Sequence, residues 1–129
     1  MLLHVLIADD DPTTREEFRH VLEQLQCQCV AVRDAHGALG ALSAIRFDVL
    51  LAGAIPDDTA YGGLMAAARS LQPSLRIVTS RRRGLDAMPP GLVDAYVDLP
   101  ATLHGLRMAL QDAFTVTHAR APRTAKLGH

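Results

Sequence analysis

The sequence predicts an α/β protein in which a parallel five-stranded sheet carries helices on both of its faces. Apolar runs of strand length alternate with segments whose apolar residues recur at helical spacing, and this alternation repeats five times. The chain has 129 residues, a length that suits a single domain. Hydrophobic residues make up 49% and charged residues 21%, which excludes a disordered, collagen-like or coiled-coil chain.

The first two units each consist of a strand followed by a helix. Residues 2–8 form a mostly apolar run, which is typical of a strand buried on both faces of a parallel sheet. Asp11 is placed to cap the first helix, with Pro12 in its first turn, and apolar residues then recur at helical spacing. Residues 29–32 predict the second strand, and the second helix follows, weakened by two glycines.

The third and fourth units continue the pattern. Residues 49–55 predict the third strand, and the helix after it ends before Pro73. Residues 75–79 predict the fourth strand. The fourth helix is expected to be short or irregular, because Pro89 and Pro90 interrupt it and remove backbone hydrogen-bond donors.

The last unit completes the sheet. Residues 95–99 predict the fifth strand, and a fifth helix, capped by Thr102, ends at Phe114. The sequence thus predicts a doubly wound five-stranded parallel sheet of the flavodoxin-like (βα)5 type. Its domain spans residues 1–114, and residues 115–129 are expected to form a flexible basic tail or linker.

Charge and hydropathy limit the surroundings in which the chain works. Thirteen basic residues against fourteen acidic ones give a formal net charge of -1, which argues against nucleic-acid binding by bulk charge. No apolar run reaches the roughly 18 residues that span a bilayer, and the N-terminus lacks the pattern of a signal peptide. We therefore expect a cytoplasmic protein without membrane contact.

Three consecutive aspartates follow the first predicted strand. Adjacent carboxylates repel one another unless a cation lies between them, so Asp9, Asp10 and Asp11 favour a divalent metal site. Alternatively, Asp11 caps the helix while the other two are solvated at the helix N-terminus. In a doubly wound sheet the working site lies beyond the carboxyl ends of the strands. The loops there begin at Asp9, Gly53, Thr79 and Leu99.

Four segments near these strand ends carry a family resemblance. IADDDPTTR, FDVLLAGAIP, VTS and AYVDLP occur in this order, and together they resemble the response-regulator receiver domain of two-component signalling. The resemblance covers residues 3–114. It implies a role in phosphorelay signal transduction, and it implies that Asp9 and Asp10 help to hold a Mg2+ ion beside the incoming phosphoryl group.

The phosphoacceptor position departs from the family pattern. The aspartate that accepts the phosphoryl group falls on Ala52 or Gly53, depending on a one-residue uncertainty in the alignment, and neither residue has a carboxylate. Asp48 lies at the other end of the strand, roughly 16 Å away along an extended chain. Asp57 and Asp58 follow in the next loop, whose backbone is not the fixed strand end that in-line transfer requires.

The remaining family positions are partly kept. The switch hydroxyl falls on Thr79, or on Ser80 if the alignment shifts by one. The phosphate-binding lysine falls on Leu99, and Lys126 is the sole lysine of the chain. Tyr96 matches the aromatic switch position of the family, although a tyrosine simply buried in the strand would give the same pattern.

Three arginines could compensate for the missing cations. Arg81, Arg82 and Arg83 follow the fourth strand, and one of them could pair with Asp9 or Asp10 in place of the metal and the lysine. The alternative is a solvated basic loop. In either case we expect no required cofactor, and only weak Mg2+ binding, if any.

The sequence therefore predicts a degenerate receiver, or pseudo-receiver, that is not phosphorylated and is not an enzyme. The resemblance implies protein partners such as a histidine kinase, an output domain or a second copy, bound through the face of the fourth helix, fifth strand and fifth helix. One alternative is a working phospho-receiver whose acceptor lies elsewhere. Another is a haloacid-dehalogenase-like phosphatase built on Asp9, Asp11 and Thr13, although its required lysine is absent.

Overall fold

A computed structural model describes residues 2–53, 58–81 and 93–127 of the chain, with the side chains of 58–62, 81 and 116–127 excepted. Within these residues there are five strands and four helices. In chain order they are β1 (His4–Ala8), α1 (Pro12–Gln24), β2 (Gln28–Val32), α2 (Ala35–Ala44), β3 (Val49–Ala52), α3 (Asp58–Leu71), β4 (Arg76–Arg81), β5 (Ala95–Asp98) and α4 (Leu103–Leu127).

All five strands are parallel and lie in the order β2-β1-β3-β4-β5. Helices α1 and α4 cover one face of the sheet, and α2 and α3 cover the other. The predicted doubly wound α/β fold is therefore confirmed. The winding reverses between β1 and β3, and in such sheets ligands bind beyond the carboxyl ends of the strands at this reversal.

The central strands are buried on both faces. In β1, Val5 and Ile7 point into the layer formed with α1 and α4, whereas Leu6 and Ala8 point into the layer formed with α2 and α3. All four of these residues are fully buried. This arrangement explains why the strand reads as a continuous apolar run instead of an alternating one.

The sequence predicted the start of two helices. The Asp11 side chain accepts a hydrogen bond from the Thr14 amide at the start of α1, at 3.2 Å. At the start of α4, which is the fifth helix predicted from the sequence, the Thr102 hydroxyl accepts one from the Gly105 amide at 3.0 Å. In both cases the polar side chain satisfies an amide that the first helical turn leaves without a backbone partner.

The sequence also led to expectations about the last helix and about the helix around Pro89 and Pro90. The apolar pattern of the last helix ends at Phe114, but the helix continues for thirteen more residues, to Leu127. The division into a domain of residues 1–114 and a tail of 115–129 stays a prediction. The short or irregular helix expected around Pro89 and Pro90 lies outside the described residues.

Three polar side chains tie the amino ends of the strands to their surroundings. Each accepts a hydrogen bond from a backbone amide that is distant in sequence. The bonds run from His4 N to Asp48 Oδ2 (2.8 Å), from Phe47 N to Gln72 Oε1 (2.8 Å) and from Ile77 N to Asp94 Oδ2 (2.9 Å). We call these the amino-end ties, and they lie at the edge of the sheet opposite the strand ends that the sequence predicts to be functional.

Across the described residues, no helix combines the length and apolar character that crossing a membrane requires.

Candidate functional site

The carboxyl ends of β1, β3 and β4 lie side by side. Ala8 pairs with Ala52, and Ala52 in turn pairs with Thr79. The Gly53 amide donates a hydrogen bond of 2.7 Å to the Ala8 carbonyl, which continues the ladder past the last residue of β3. The fold thereby brings Asp9, Gly53 and Thr79 together, and we call these three residues the strand-end site.

Asp9 is fully buried, and it is fixed through both its side chain and its backbone. Its Oδ1 atom accepts a hydrogen bond from the Asp11 amide at 2.8 Å. Its own amide donates to the Val32 carbonyl at 3.2 Å, and its carbonyl accepts a bond from Arg15 Nη1 at 2.8 Å. These bonds hold the backbone of Asp9 and one oxygen of its carboxyl group.

Gly53 faces the Asp9 side chain at contact distance. A Cβ atom added at Gly53 would lie 1.8 Å from Asp9 Oδ2 and 2.7 Å from Asp9 Cγ. The Asp9 carboxyl group thus occupies the volume into which any side chain at position 53 would project. Ala52, by contrast, is buried in the layer formed with α2 and α3. Of the two positions that the alignment leaves open, Gly53 is the one that faces Asp9.

The hydroxyl side chains at the end of β4 are buried. Thr79 is 2% exposed, and its Oγ1 donates a hydrogen bond of 2.8 Å to the Ala52 carbonyl. Ser80 is equally buried beside Val97 of β5, and its Oγ has no hydrogen-bond partner within the described part of the chain. Thr79 therefore belongs to the strand-end site, whereas Ser80 points to the other face of the sheet.

Tyr96 lies within β5, and Leu99 is the residue directly after this strand. Leu99 is partly buried and packs against the core layer that β5 shares with α1 and α4, and its peptide bond to Pro100 is cis. Tyr96 is the register partner of Thr79 and is 38% exposed. The alternative in which Tyr96 is simply buried in the strand is therefore wrong.

The other two aspartates of the acidic run differ in their contacts. Asp10 is exposed, while Asp11 caps α1. Asp11 Oδ2 accepts bonds from the Thr14 hydroxyl at 2.6 Å and from the Thr14 amide at 3.2 Å. The Thr14 hydroxyl is the main reason that the pKa of Asp11 lies below its ordinary value of 3.8, and the positive charge of Arg15 lowers it further.

This lowered pKa predicts a specific dependence of stability on pH. The folded state binds the Asp11 proton more weakly than the unfolded state does, so the contribution of Asp11 is complete above the ordinary value of 3.8 and is lost as the pH falls through the folded-state pKa. Asp11→Asn keeps an oxygen acceptor at the cap and does not titrate. Its melting temperature should fall less steeply between about pH 5 and about pH 2 than that of the wild type.

Thr14→Val removes the main cause of the lowered pKa while leaving Asp11 in place. It should make the wild-type pH dependence shallower, which circular dichroism at each pH would measure. Equal slopes for the wild type, Asp11→Asn and Thr14→Val would contradict the role assigned to Asp11.

Arg15 also contacts the site, although no prediction from the sequence named it. Its guanidinium group donates a hydrogen bond to the Asp9 carbonyl and lowers the pKa of Asp11. A positive charge therefore lies beside the three consecutive aspartates. Its place within the IADDDPTTR segment was a usable signal, since a residue in the first helical turn can reach back to the preceding loop. Of the arginines proposed instead, Arg81 ends β4 but its side chain lies outside the described part, as do Arg82 and Arg83.

The described residues do not fit a Mg2+ site. Among them, no three His, Cys, Asp or Glu side chains come together as a metal-binding group. Asp9 turns its carboxyl group toward Gly53 and the Asp11 amide, and it is closed off from solvent. Asp57 and the side chain of Asp58 lie outside the described part, and Asp48 lies at the opposite edge of the sheet.

The two cysteines are thiols at the edge of the core. Burial raises the pKa of Cys29 to about 11, and burial likewise raises the pKa of Cys27. A thiol with a raised pKa carries little thiolate at neutral pH, so these side chains act as small packing residues.

The chain is similar to proteins of known structure. No protein-family model and no curated protein matches the chain. A CheY-like response regulator receiver domain from Methylobacillus flagellatus is 26% identical, with a TM-score of 0.76 over 88% of this chain and 99% of that one. The chemotaxis response regulator CheY4 of Vibrio cholerae is 20% identical, with a TM-score of 0.75 over 88% and 99% of the two chains.

A third similar structure was solved with a metal ion. It is the receiver domain of a sensor histidine kinase from Pseudomonas aeruginosa, with magnesium coordinated in its active-site cleft. It is 17% identical, with a TM-score of 0.73 over 88% of this chain and 98% of that one. Together with the sheet order and the two helical layers, these similarities lead to one conclusion: the chain has the receiver-domain fold of two-component phosphorelay signalling.

Proposed function

We propose that this chain is a receiver-like signalling domain that does not accept a phosphoryl group and that acts by binding a protein partner. The observation that carries the proposal is the contact between Asp9 and Gly53. A phosphoacceptor must present a carboxylate at the end of β3, and here neither Ala52 nor Gly53 has one. Covalent transfer needs a nucleophile, and without one the step does not occur.

The neighbouring residues support the same proposal. Receivers bind the phosphoryl group with a lysine, and Leu99 at the matching position packs against the core. Thr79 keeps the hydroxyl of the family pattern, but it uses its proton to bond the Ala52 carbonyl. The strand-end site thus keeps an acid and a hydroxyl of the family pattern, while the family positions of the acceptor carboxylate and of the lysine carry other residues.

Exposed apolar side chains on β5 and α4 support a partner surface that includes these two elements. Tyr96, Leu103 and Met108 are 38%, 39% and 42% exposed. These residues lie on β5 and α4, and we propose that the face of the fourth predicted helix, β5 and α4 contacts a histidine kinase, an output domain or a second copy of the chain. Because the covalent switch is missing, the interaction is constitutive or depends on another ligand.

Incubation with acetyl phosphate and Mg2+, followed by intact-mass measurement, tests the absence of phosphorylation. We expect no mass increase, while a receiver domain that retains its acceptor aspartate gains one phosphoryl group under the same conditions. The sedimentation profile should also be unchanged by acetyl phosphate. A phosphorylated wild-type protein would overturn the proposal in favour of a phospho-receiver whose acceptor lies elsewhere.

A phosphatase assay on the same protein distinguishes the proposed function from that of a haloacid-dehalogenase-like phosphatase. Asp11 would be the second acid of a haloacid-dehalogenase-like motif, yet its carboxylate is bound to Thr14 as a helix cap. We expect no turnover of p-nitrophenyl phosphate. Turnover that disappears in Asp9→Asn would instead indicate an enzyme.

A further inference from the structure

The contact between Asp9 and Gly53 also bears on metal binding. We infer that the Asp9 carboxyl group fills the strand-end site from within the protein, because Gly53 has no side chain to occupy that space. In this position the carboxyl group prevents Mg2+ from binding to Asp9 and Asp10. This inference deepens the proposed function and rests on it for its biological meaning. Asp9 and Asp10 are both present, so the acidic residues alone would predict that Mg2+ binds.

Backbone hydrogen bonds hold both residues of the contact in the sheet. Asp9 donates to the Val32 carbonyl and Gly53 donates to the Ala8 carbonyl, so each residue is held by the sheet. A side chain added at Gly53 would therefore have to displace the Asp9 carboxyl group itself. The 1.8 Å separation between the added Cβ and Asp9 Oδ2 is far below any van der Waals contact.

Groups within the chain take over part of the role of a cation. Asp9 Oδ1 accepts a bond from the Asp11 amide, which lies just before the first turn of α1, where the helix dipole is positive. The guanidinium group of Arg15 is bound to the carbonyl of the same aspartate. Both stabilise negative charge at Asp9 in the inward position.

Mg2+ requires a different arrangement. The ion keeps several of its water molecules and takes one or two carboxylates in a nearly octahedral shell. A carboxyl group that is fully buried and directed at the backbone of Gly53 presents no oxygen to such a hydrated ion. Once Asp9 is turned outward, it and the exposed Asp10 would supply two adjacent carboxylates at the helix N-terminus.

Gly53→Ala tests the inference with a single methyl group. It should lower the folding equilibrium constant by at least about tenfold in the wild-type background, because the methyl and the carboxyl group need the same space. In an Asp9→Ala background the same substitution should cost less than about threefold. Gly40→Ala is the matched control, since a Cβ at Gly40 meets nothing within 4 Å, and it should raise the constant by a few fold.

The second readout is the effect of Mg2+ on thermal unfolding. Wild-type protein should not respond to millimolar MgCl2, whereas Gly53→Ala should be stabilised, and an ion at ten times its dissociation constant raises the folding constant about tenfold. Asp10→Asn added to Gly53→Ala should abolish this response. An equal response in the wild type would overturn the inference, as would a folded Gly53→Ala protein that ignores Mg2+.

The double variant decides the case in which Gly53→Ala does not fold. A folded Asp9→Ala/Gly53→Ala protein supports the inference, and an unfolded one overturns it, as does an equal cost of Gly53→Ala in the two backgrounds. None of these measurements involves phosphoryl transfer. A phosphorylated wild type would therefore overturn the proposed function. The cost of Gly53→Ala in the wild-type and Asp9→Ala backgrounds would still decide the role of Asp9.

Discussion

Asp94→Ala should destabilise the folded state by about 3 to 5 kcal/mol, the usual cost of removing one partner of a buried ion pair. The Asp94 side chain is fully buried at the amino end of β5. Its Oδ2 accepts bonds from Arg69 Nη2 at 3.0 Å and from the Ile77 amide at 2.9 Å. Alanine would leave the Arg69 charge and a buried amide without this acceptor, so two penalties add.

Urea denaturation followed by circular dichroism would measure this loss. Asp94→Asn keeps an oxygen for the Ile77 amide, so it should cost less than Asp94→Ala. Glu16→Ala is the matched control because its ion pair with Arg19 is solvent-exposed, and its effect should stay within about 0.5 kcal/mol. A loss below about 1 kcal/mol for Asp94→Ala would contradict the structural role of the pair.

Gln72→Ala is expected to cost about 2 to 4 kcal/mol, because one side chain makes three hydrogen bonds between separate segments. Its Oε1 accepts a bond from the Phe47 amide at 2.8 Å. Its Nε2 donates to the Leu42 carbonyl at 2.9 Å and to the Ile45 carbonyl at 2.6 Å. The residue thus joins the end of α3 to the end of α2 and to the start of β3.

Two substitutions show whether these three bonds are responsible. Gln72→Glu keeps the acceptor and loses the donors, so it should also be strongly destabilising although it preserves the shape. Gln24→Ala, at an exposed position in α1, should change the free energy of unfolding by less than about 0.5 kcal/mol. If all three variants melted like the wild type, Gln72 would be an ordinary surface residue.

Most of the fold was predictable because its signals are local. The caps at Asp11 and Thr102 depend on neighbouring residues, and the apolar run of β1 depends on burial on both faces. The end of the last helix was less predictable, because the apolar pattern stops at Phe114 whereas the backbone continues as a helix to Leu127.

The strand-end site was only partly predictable because its geometry depends on how distant strands align. The sequence placed Asp9 and Thr79 at strand ends, but it could not choose between Ala52 and Gly53. The register of β1 against β3 pairs Ala8 with Ala52 and so sets Gly53 beside Asp9, a contact that the sequence does not reveal. The partners of Asp94 and Gln72 are likewise set by packing between segments far apart in the chain.

The amino-end ties have a consequence for how such a domain changes over evolutionary time. The hydrogen bonds of Asp48, Gln72 and Asp94 lie at the edge of the sheet away from the strand-end site. A substitution at the strand-end site leaves these three hydrogen bonds in place. Sequence change at that site is therefore compatible with strands that stay tied at their amino ends.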